Sequence, residues 1–314
     1  MKTLQKTAIS AAAVALLAGL STAAFAADEP AAPEVSPITA NVTVASNYIY
    51  RGLTQTNNKP AIQGGFDYAH ESGFYVGNWN SNISWISDQY GGGGSKPGSG
   101  TGAVTAPIEM DFYAGFKKEL IGEGFASDFG VLQYYYPVSG MVSNAPTGTQ
   151  IQGNPTIRQS SGSSPSTTEV YAAQNFTAGP VTGFFKFSYA LSNLFGIYNS
   201  KGSFYPDLTA NYDTGFYGVG LVGHVGYQYV PNNTVSSVAQ LAANGNPASM
   251  AGTYNLSYAD WKFGFTKDFG GGLSGTAYYT GTSVAKTGGN YMYTTPNGGN
   301  AGRANAVVAL TKTF

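Results

Sequence analysis

The connections between the short alternating segments of this chain constrain its fold more than any other feature. Twelve segments alternate apolar and polar residues, and the connections between them are short and long in turn, without exception. In an up-and-down antiparallel sheet, successive connections lie at opposite ends, so one end has tight turns and the other long loops. This is typical of an outer-membrane β-barrel, and an even strand count places both termini at the turn end.

The predicted strands are bounded by clusters of Gly, Pro, Asn and Ser. Among the connections, 86–106 and 137–166 are two of the longest, and either is expected to restrict access to the barrel. The strands are predicted at residues 38–51, 60–70, 73–85, 107–117, 124–136, 167–177, 180–191, 203–212, 217–230, 253–267, 272–283 and 302–314.

The two faces of these strands differ in polarity, as the segment after Pro107 illustrates. Phe112 and Phe116 fall on one face with other apolar residues, whereas Glu109 and Asp111 fall on the opposite face. An apolar face turned inward would crowd many large aromatic rings into a small barrel, whereas an apolar band facing lipid accommodates them. The sequence therefore predicts an all-β, transmembrane, antiparallel up-and-down barrel of about twelve strands. A secreted β-sandwich is the alternative.

The chain ends in AVVALTKTF, a strand pattern that runs to the final residue, Phe314. A β-protein that crosses lipid must be closed, because free strand edges cannot be hydrated there. The last strand is therefore predicted to pair with the first. A terminal Phe on an alternating strand also resembles the signal by which bacterial barrel-assembly machinery recognises its substrates.

The first residues read as a secretory signal. A basic start precedes an apolar run from Ala8 to Leu20, and a small-x-small pattern predicts cleavage after Ala26. A membrane anchor is the alternative, but the run is short for a span. We expect a signal peptide at 1–26, a Pro- and Ala-rich periplasmic segment at 27–37 and the barrel at 38–314.

Composition excludes several classes of site. The chain has no cysteine, which rules out disulfides and thiol chemistry, and its formal net charge of −1 does not favour nucleic-acid binding.

The string GGGLSG at 270–275 matches a dinucleotide fingerprint but precedes a strand, not the required helix. His70 and Glu71 offer too few ligands for a metal site. No motif predicts a cofactor or a metal.

Two blocks of the sequence resemble a known family. These are ASNYIYRGLTQTNNKPAIQGGFDYAHESGFYVGNWNSNI and LSYADWKFGFTKDFGGGLSGTAYYTGT, the latter followed by the closing VALTKTF. They are similar to the TorF-type porin family of proteobacterial outer-membrane barrels. The resemblance covers the first three and last three strands, and the middle more loosely. It implies an outer-membrane barrel with a pore, and it specifies neither a solute nor catalytic residues.

Charged side chains on the inward face are the sharpest functional feature, because a wet lumen tolerates charges that lipid does not. Acidic residues outnumber basic ones, so an open lumen is expected to favour cations modestly. We expect a channel for passive diffusion of small polar solutes or ions. The alternatives are a closed barrel whose loops bind a partner and, less favoured, a barrel hydrolase using His224. Oligomeric state is not readable. The candidate pore-lining residues are Arg51, Asp67, Glu109, Asp111, Asp128, Glu169, Lys186, Asp207, His224, Asp260, Lys262 and Arg303.

Overall fold

Twelve antiparallel strands form a closed barrel in the computed structural model, as predicted. The structure describes residues 36–90, 104–139, 164–197, 200–231, 234–235, 252–253, 255–287 and 290–314. The predicted signal peptide and most of the segment that follows it lie outside these residues, as do the central parts of the predicted loops 86–106 and 137–166.

Each barrel strand pairs with its neighbours in chain order. We number the barrel strands β1 to β12. They are β1 Ile38–Ala45, β2 Ala61–Ala69, β3 Phe74–Asn82, β4 Ile108–Gly122, β5 Phe125–Tyr135, β6 Thr167–Ala178, β7 Val181–Ala190, β8 Phe204–Phe216, β9 Val219–Gln228, β10 Tyr258–Gly270, β11 Leu273–Thr282 and β12 Asn305–Thr313.

The last strand closes the barrel on the first. β12 pairs antiparallel with β1, from Ala45 opposite Ala309 to Asn41 opposite Thr313. The amide of Phe314 donates to the carbonyl of Ala40 at 2.8 Å. The ring of backbone hydrogen bonds is therefore complete, which confirms the predicted pairing of the two terminal strands.

Short turns lie at one end of the barrel, here called the turn end, and long connections at the other, the loop end. The turns at the turn end are closed by glycines with positive φ, such as Gly124 (80°) and Gly179 (59°). Residues other than glycine are disfavoured in that conformation, because they carry a Cβ atom. The alternation of connection lengths is as predicted. β4 runs on to Gly122, through residues that were predicted to form the turn.

The two faces of the wall have the predicted polarity. On β4, Glu109 and Asp111 are buried inside the barrel, whereas Phe112 and Phe116 are exposed on its outside. The same division holds on β10, where Asp260 is buried and Phe263 is exposed. The outer surface is therefore largely apolar and the interior largely polar.

The first strand is shorter than predicted, and this changes the interior. β1 ends at Ala45 rather than at residue 51, and a small hairpin follows in which Ile49–Tyr50 pairs with Leu53–Thr54. Arg51 (φ 44°) and Gly52 (φ 75°) form its tip. A Cβ on Gly52 would lie 2.3 Å from Thr282 Cγ2, so glycine is required there. The tip thus fits tightly inside the wall.

Helix is scarce in the described part of the chain. A short helix, α1, spans Trp85–Tyr90, and one 3₁₀ turn spans Leu194–Gly196. Phe195, in that turn, packs edge-on against Tyr50 and Tyr134 beneath the loop end. No described helix has the length and apolarity to cross a membrane.

The outward face of β12 gives a test of the predicted lipid contact. Val308 is 61% exposed on that face. Replacing it with Arg is expected to cost about 2–4 kcal/mol of unfolding free energy in lipid vesicles, because a charge at mid-depth must leave water. Thr311→Arg, on the inward face of the same strand, is the control and is expected to cost far less. Equal costs measured by urea titration would contradict the assignment of faces.

Candidate functional site

Arg51 is held inside the barrel by groups on two strands, β6 and β9. Its Nη1 and Nη2 donate to the two carboxylate oxygens of Glu169 on β6, at 3.0 and 2.7 Å. Nη1 also donates to Oε1 of Gln228 on β9, at 2.6 Å. The side chains of Arg51 and Glu169 are only 7% and 1% exposed. A two-bond contact of this kind fixes the position of the guanidinium as well as its charge.

Tyrosine rings enclose the guanidinium. The Arg51 Cζ lies 5.0 Å from the centre of the Tyr50 ring and 4.3 Å from that of Tyr205. The hydroxyls of Tyr50 and Tyr134 are 2.5 Å apart. The hairpin tip is therefore anchored to β5, β6, β8 and β9, so it reaches across the interior instead of lying over the loop end.

A second cluster anchors the start of the same loop. The hydroxyls of Tyr48 and Tyr136 donate to the two carboxylate oxygens of Glu109, each at 2.5 Å. Asp111 is buried nearby, and its Oδ1 has no hydrogen-bond partner among the described residues. Neither Glu109 nor Asp111 lines the two cavities described next. These acids therefore belong to the packed side of the barrel.

Two cavities lie on either side of the hairpin tip, and Tyr50 and Arg51 line both. The outer vestibule, at the loop end, measures about 790 Å³ including its open part, and Trp85, Phe195, Tyr258 and Tyr293 contribute to its wall. The inner cavity measures about 690 Å³, also including its open part. Its other polar lining residues are Tyr134, Lys186, Ser188, Tyr205, Asp207, His224, Asp260, Lys262, Tyr278 and Thr280.

His224 is held between two carboxylates on the wall of the inner cavity. Its Nδ1 lies 3.0 Å from Asp207 Oδ1, and its Nε2 lies 2.8 Å from Asp260 Oδ1. Tyr205 donates its hydroxyl to Asp260 Oδ2 at 2.8 Å. Because both ring nitrogens face acceptors, neither presents a lone pair to the lumen. This geometry suits a structural ion cluster better than a general base.

Tyrosines also cap the acids of the opposite wall. Tyr113 donates to Asp67, and Tyr75 donates to Asp128 Oδ1 at 2.6 Å. Lys117 is buried on the same side of the interior. The carboxylates of this wall are thus engaged by hydroxyl groups, and they lie outside both cavity linings.

The structure brings most of the predicted lumen residues together. Asp67, Glu109, Asp111, Asp128, Glu169, Lys186, Asp207, His224, Asp260 and Lys262 all lie on inward positions of barrel strands. Arg51 is inside for a different reason, since a loop carries it there. Arg303 corrects the prediction. It is exposed in the connection before β12, because that strand begins at Asn305 and not at residue 302.

Sequence reasoning missed the partners that hold Arg51. Tyr50, Tyr134, Tyr205 and Gln228 carry no formal charge, so a search for lumen charges passed over them. Tyr134, Tyr205 and Gln228 lie on barrel strands, and the alternation of those strands could have indicated that they point inward. For Tyr50 the signal is the adjacent Gly52, which indicates a turn where a continuous strand was predicted.

The remaining motifs have simple structural roles. Residues 270–275 span the end of β10, a tight turn and the start of β11, with positive φ at Gly270, Gly271 and Gly272. His70 lies at the turn between β2 and β3, with its Nδ1 2.8 Å from the Ser72 hydroxyl. Within the described ranges, no group of three or more His, Asp or Glu side chains is arranged to hold a metal ion.

Comparison with known proteins gives a family but no activity. The family described as "Bacterial protein of unknown function (Gcw_chp)" matches residues 27–314. The chain belongs to this family. No curated protein matches the sequence.

Several solved porin structures resemble this Gcw_chp chain at low similarity. A KdgM porin has 4% identity and a TM-score of 0.45, and covers 88% of this chain and 98% of its own. A NanC porin has 7% identity and a TM-score of 0.46, with coverages of 88% and 98%. OprB of Pseudomonas putida has 14% identity and a TM-score of 0.38, with coverages of 86% and 61%.

The Arg51–Glu169 contact gives a stability prediction. Arg51→Met is expected to lower the free energy of unfolding by about 3–5 kcal/mol, because it leaves a buried carboxylate unpaired. Adding Glu169→Met should recover much of this loss. Lys201→Met, on an exposed loop, is the control, and urea titration of the refolded barrel is the measurement. If Arg51→Met is as stable as Lys201→Met, the Arg51–Glu169 contact does not form.

Proposed function

We propose that the chain is an outer-membrane channel through which small polar solutes or ions diffuse passively. The observation that carries this proposal is the pair of cavities that share Tyr50 and Arg51. One lies at the loop end and the other lies beneath the hairpin, and Tyr50 and Arg51 line both. Transport of this kind needs a hydrated path and a field within it, and no chemical step.

The character of the inner cavity supports passage of polar solutes. Lys186, Asp207 and Lys262 line it together with hydroxyl groups. Charged and hydroxyl groups are readily hydrated, so a lining of this kind suits a water-filled interior. The apolar outer face supports placement in a membrane.

The proposal also covers ion selectivity and the resemblance to a porin family. Carboxylates outnumber basic groups on the inward face, which supports a modest preference for cations. The resemblance to TorF-type porins supports a pore and an outer-membrane location after export.

One observation favours a second candidate, a closed barrel with a surface role. The hairpin tip is bonded to β6 through Glu169 and to β9 through Gln228, and aromatic rings pack around it. If this tip never moves aside, nothing crosses, and the loops at the open end become the functional part of the molecule.

Single-channel recording in planar bilayers tests the channel and its constriction together. The refolded protein is expected to give discrete steps. Arg51→Ala is expected to raise the step size by about twofold or more, because the narrowest part of a pore limits its flux. Lys201→Ala serves as the control and should leave the step size unchanged. If neither the wild-type protein nor Arg51→Ala gives conductance steps, although heat-shifted gel mobility shows that both are folded barrels, the closed barrel is supported.

Reversal potentials under a salt gradient test the source of the ion preference. Asp207→Asn is expected to reduce the preference for cations, because Asp207 lines the inner cavity. Asp128→Asn removes an equal charge from outside both cavity linings and should have a much smaller effect. Equal shifts from the two variants would contradict the proposed path.

A further inference from the structure

A lysine and an aspartate face each other inside the barrel without forming an ion pair. Lys186 on β7 and Asp207 on β8 are direct partners in the register of the two strands. Side chains in such positions are neighbours, and opposite charges there normally attract each other. None of the three ion pairs within the described residues joins them, and Lys186 takes part in none of the three. Other groups therefore hold the two charges apart.

The ammonium of Lys186 leans towards a tyrosine ring and has no hydrogen-bond acceptor. Its Nζ lies 4.3 Å from the centre of the Tyr171 ring, on β6. Within the part of the chain that the structure describes, no oxygen accepts a hydrogen bond from this Nζ. A ring face offsets part of the charge but gives the three N–H groups no oxygen acceptor. Because Lys186 is only 8% exposed, this donor capacity is directed into the barrel interior.

The carboxylate of Asp207 leans the other way and uses one of its two oxygens. Its Oδ1 lies 3.0 Å from Nδ1 of His224 and accepts a hydrogen bond from the Thr209 hydroxyl at 2.9 Å. Among the described residues, no group donates to its Oδ2. Asp207 thus keeps one carboxylate oxygen unused beside the lysine with which it does not pair.

The unused Nζ of Lys186 and Oδ2 of Asp207 both open into the inner cavity. Both residues line it, and so does Ser188, the next inward residue on β7. The two atoms are not sealed from solvent, in contrast to Asp67 Oδ2 and Asp111 Oδ1 on the packed side of the interior. The Ser188 hydroxyl also makes no hydrogen bond within the described residues. A solute in the cavity therefore meets two donor groups and one acceptor.

The charges around the inner cavity nearly balance. Its ionisable lining residues other than tyrosine are Arg51, Lys186, Asp207, His224, Asp260 and Lys262. The charge of Arg51 is offset by Glu169. The two lysines and the two aspartates offset one another, and His224 lies between the two aspartate carboxylates. A solute with one net charge disturbs this balance, whereas a solute that carries both charges preserves it.

We propose that the inner cavity binds small zwitterionic solutes, with Lys186 and Asp207 as the two residues that recognise them. The solute carboxylate accepts hydrogen bonds from the Lys186 ammonium and the Ser188 hydroxyl, and the solute ammonium donates to Asp207 Oδ2. Charge-assisted hydrogen bonds of this kind are stronger than those between neutral groups. Because the two residues are neighbours across the strands, the two charges of the solute must be only a few bonds apart, as they are in an α-amino acid.

Solutes that carry a single charge fit the same site less well. An anion gains the ammonium of Lys186 but faces the carboxylate of Asp207, and a cation gains the carboxylate but faces the ammonium. The inference rests on the proposed function, because a solute must reach the cavity through the barrel, and it names one class among the polar solutes proposed above. Binding at this site is measured separately from conductance.

A similar pair of residues elsewhere in the barrel provides a matched control. Lys117 on β4 and Asp128 on β5 are also direct register partners, and both are buried in the interior. Lys117 donates to Oδ1 of Asn175 at 3.4 Å, and Tyr75 donates to Asp128 Oδ1 at 2.6 Å. Neither Lys117 nor Asp128 lines either cavity. Changes at this pair remove the same charges from the interior and leave the proposed site intact.

Binding of L-alanine to the refolded barrel in lipid nanodiscs, followed by ligand-observed NMR titration, tests the site. Propionate and ethylammonium are the matched probes, because each keeps the methyl group and lacks one of the two charged groups. L-alanine is expected to bind at least about tenfold more tightly than either probe, because each probe loses one charge-assisted contact. Equal binding of the three compounds, or no binding of L-alanine, would overturn the proposal.

Variants of the two residues assign each charge of the solute to its partner. Lys186→Met is expected to weaken L-alanine binding at least about tenfold, whereas Lys117→Met leaves it unchanged. Asp207→Asn is expected to bind L-alanine and propionate equally, because the charge that favours an ammonium is gone, whereas Asp128→Asn keeps the wild-type preference.

Heat-shifted gel mobility shows whether each variant is a folded barrel. If Lys186→Met does not fold, the comparison of Asp207→Asn with Asp128→Asn decides alone. An effect of Lys186→Met no larger than that of Lys117→Met, or an unchanged preference for L-alanine in Asp207→Asn, would contradict the assignment of the site.

The outcomes separate this site from channel activity. Selective binding of L-alanine by a barrel that gives no conductance steps would retain the site and remove the proposed channel. Conductance steps from a barrel that does not bind L-alanine would retain the channel and remove the site.

Discussion

Closure of the backbone hydrogen-bond ring is the constraint on which the rest of the structure depends. Each barrel strand pairs with two neighbours, and β12 completes the ring against β1. A closed wall has no free edge, so an apolar outer face can meet lipid without exposing unpaired amides. The same closure encloses the opposite face of each strand. The polar side chains there form the barrel interior.

The interior is filled unevenly, and this unevenness decides where a path can lie. On one side, tyrosines engage Asp67, Glu109 and Asp128, and the wall is packed. On the other side, the inner cavity remains open beside His224. The hairpin tip at Arg51 separates that cavity from the outer vestibule. We propose that the Arg51 side chain, which is bonded to Glu169, controls passage between the two.

The fold could be predicted from sequence because its two signals are local. Alternation along each strand and the alternating lengths of the connections need no knowledge of distant contacts, and the parity of Glu109 or Asp260 follows from them. The course of residues 46–60 could not be predicted in this way. Arg51 is inside because Glu169 and Gln228, far along the chain, receive it. The prediction for Arg303 was wrong because loop packing sets where a strand begins. The alternation of apolar and polar residues does not show this.

Thiol modification inside the inner cavity would test the central claim that solutes pass the hairpin tip through this cavity. Ser188 lines the cavity, and Ser188→Cys would be the only thiol in the chain. The account predicts that a small, charged methanethiosulfonate reagent lowers the single-channel current of this variant stepwise and leaves the wild-type current unchanged. A current that persists at full size after complete modification, or a folded variant that conducts no ions at all, would contradict it.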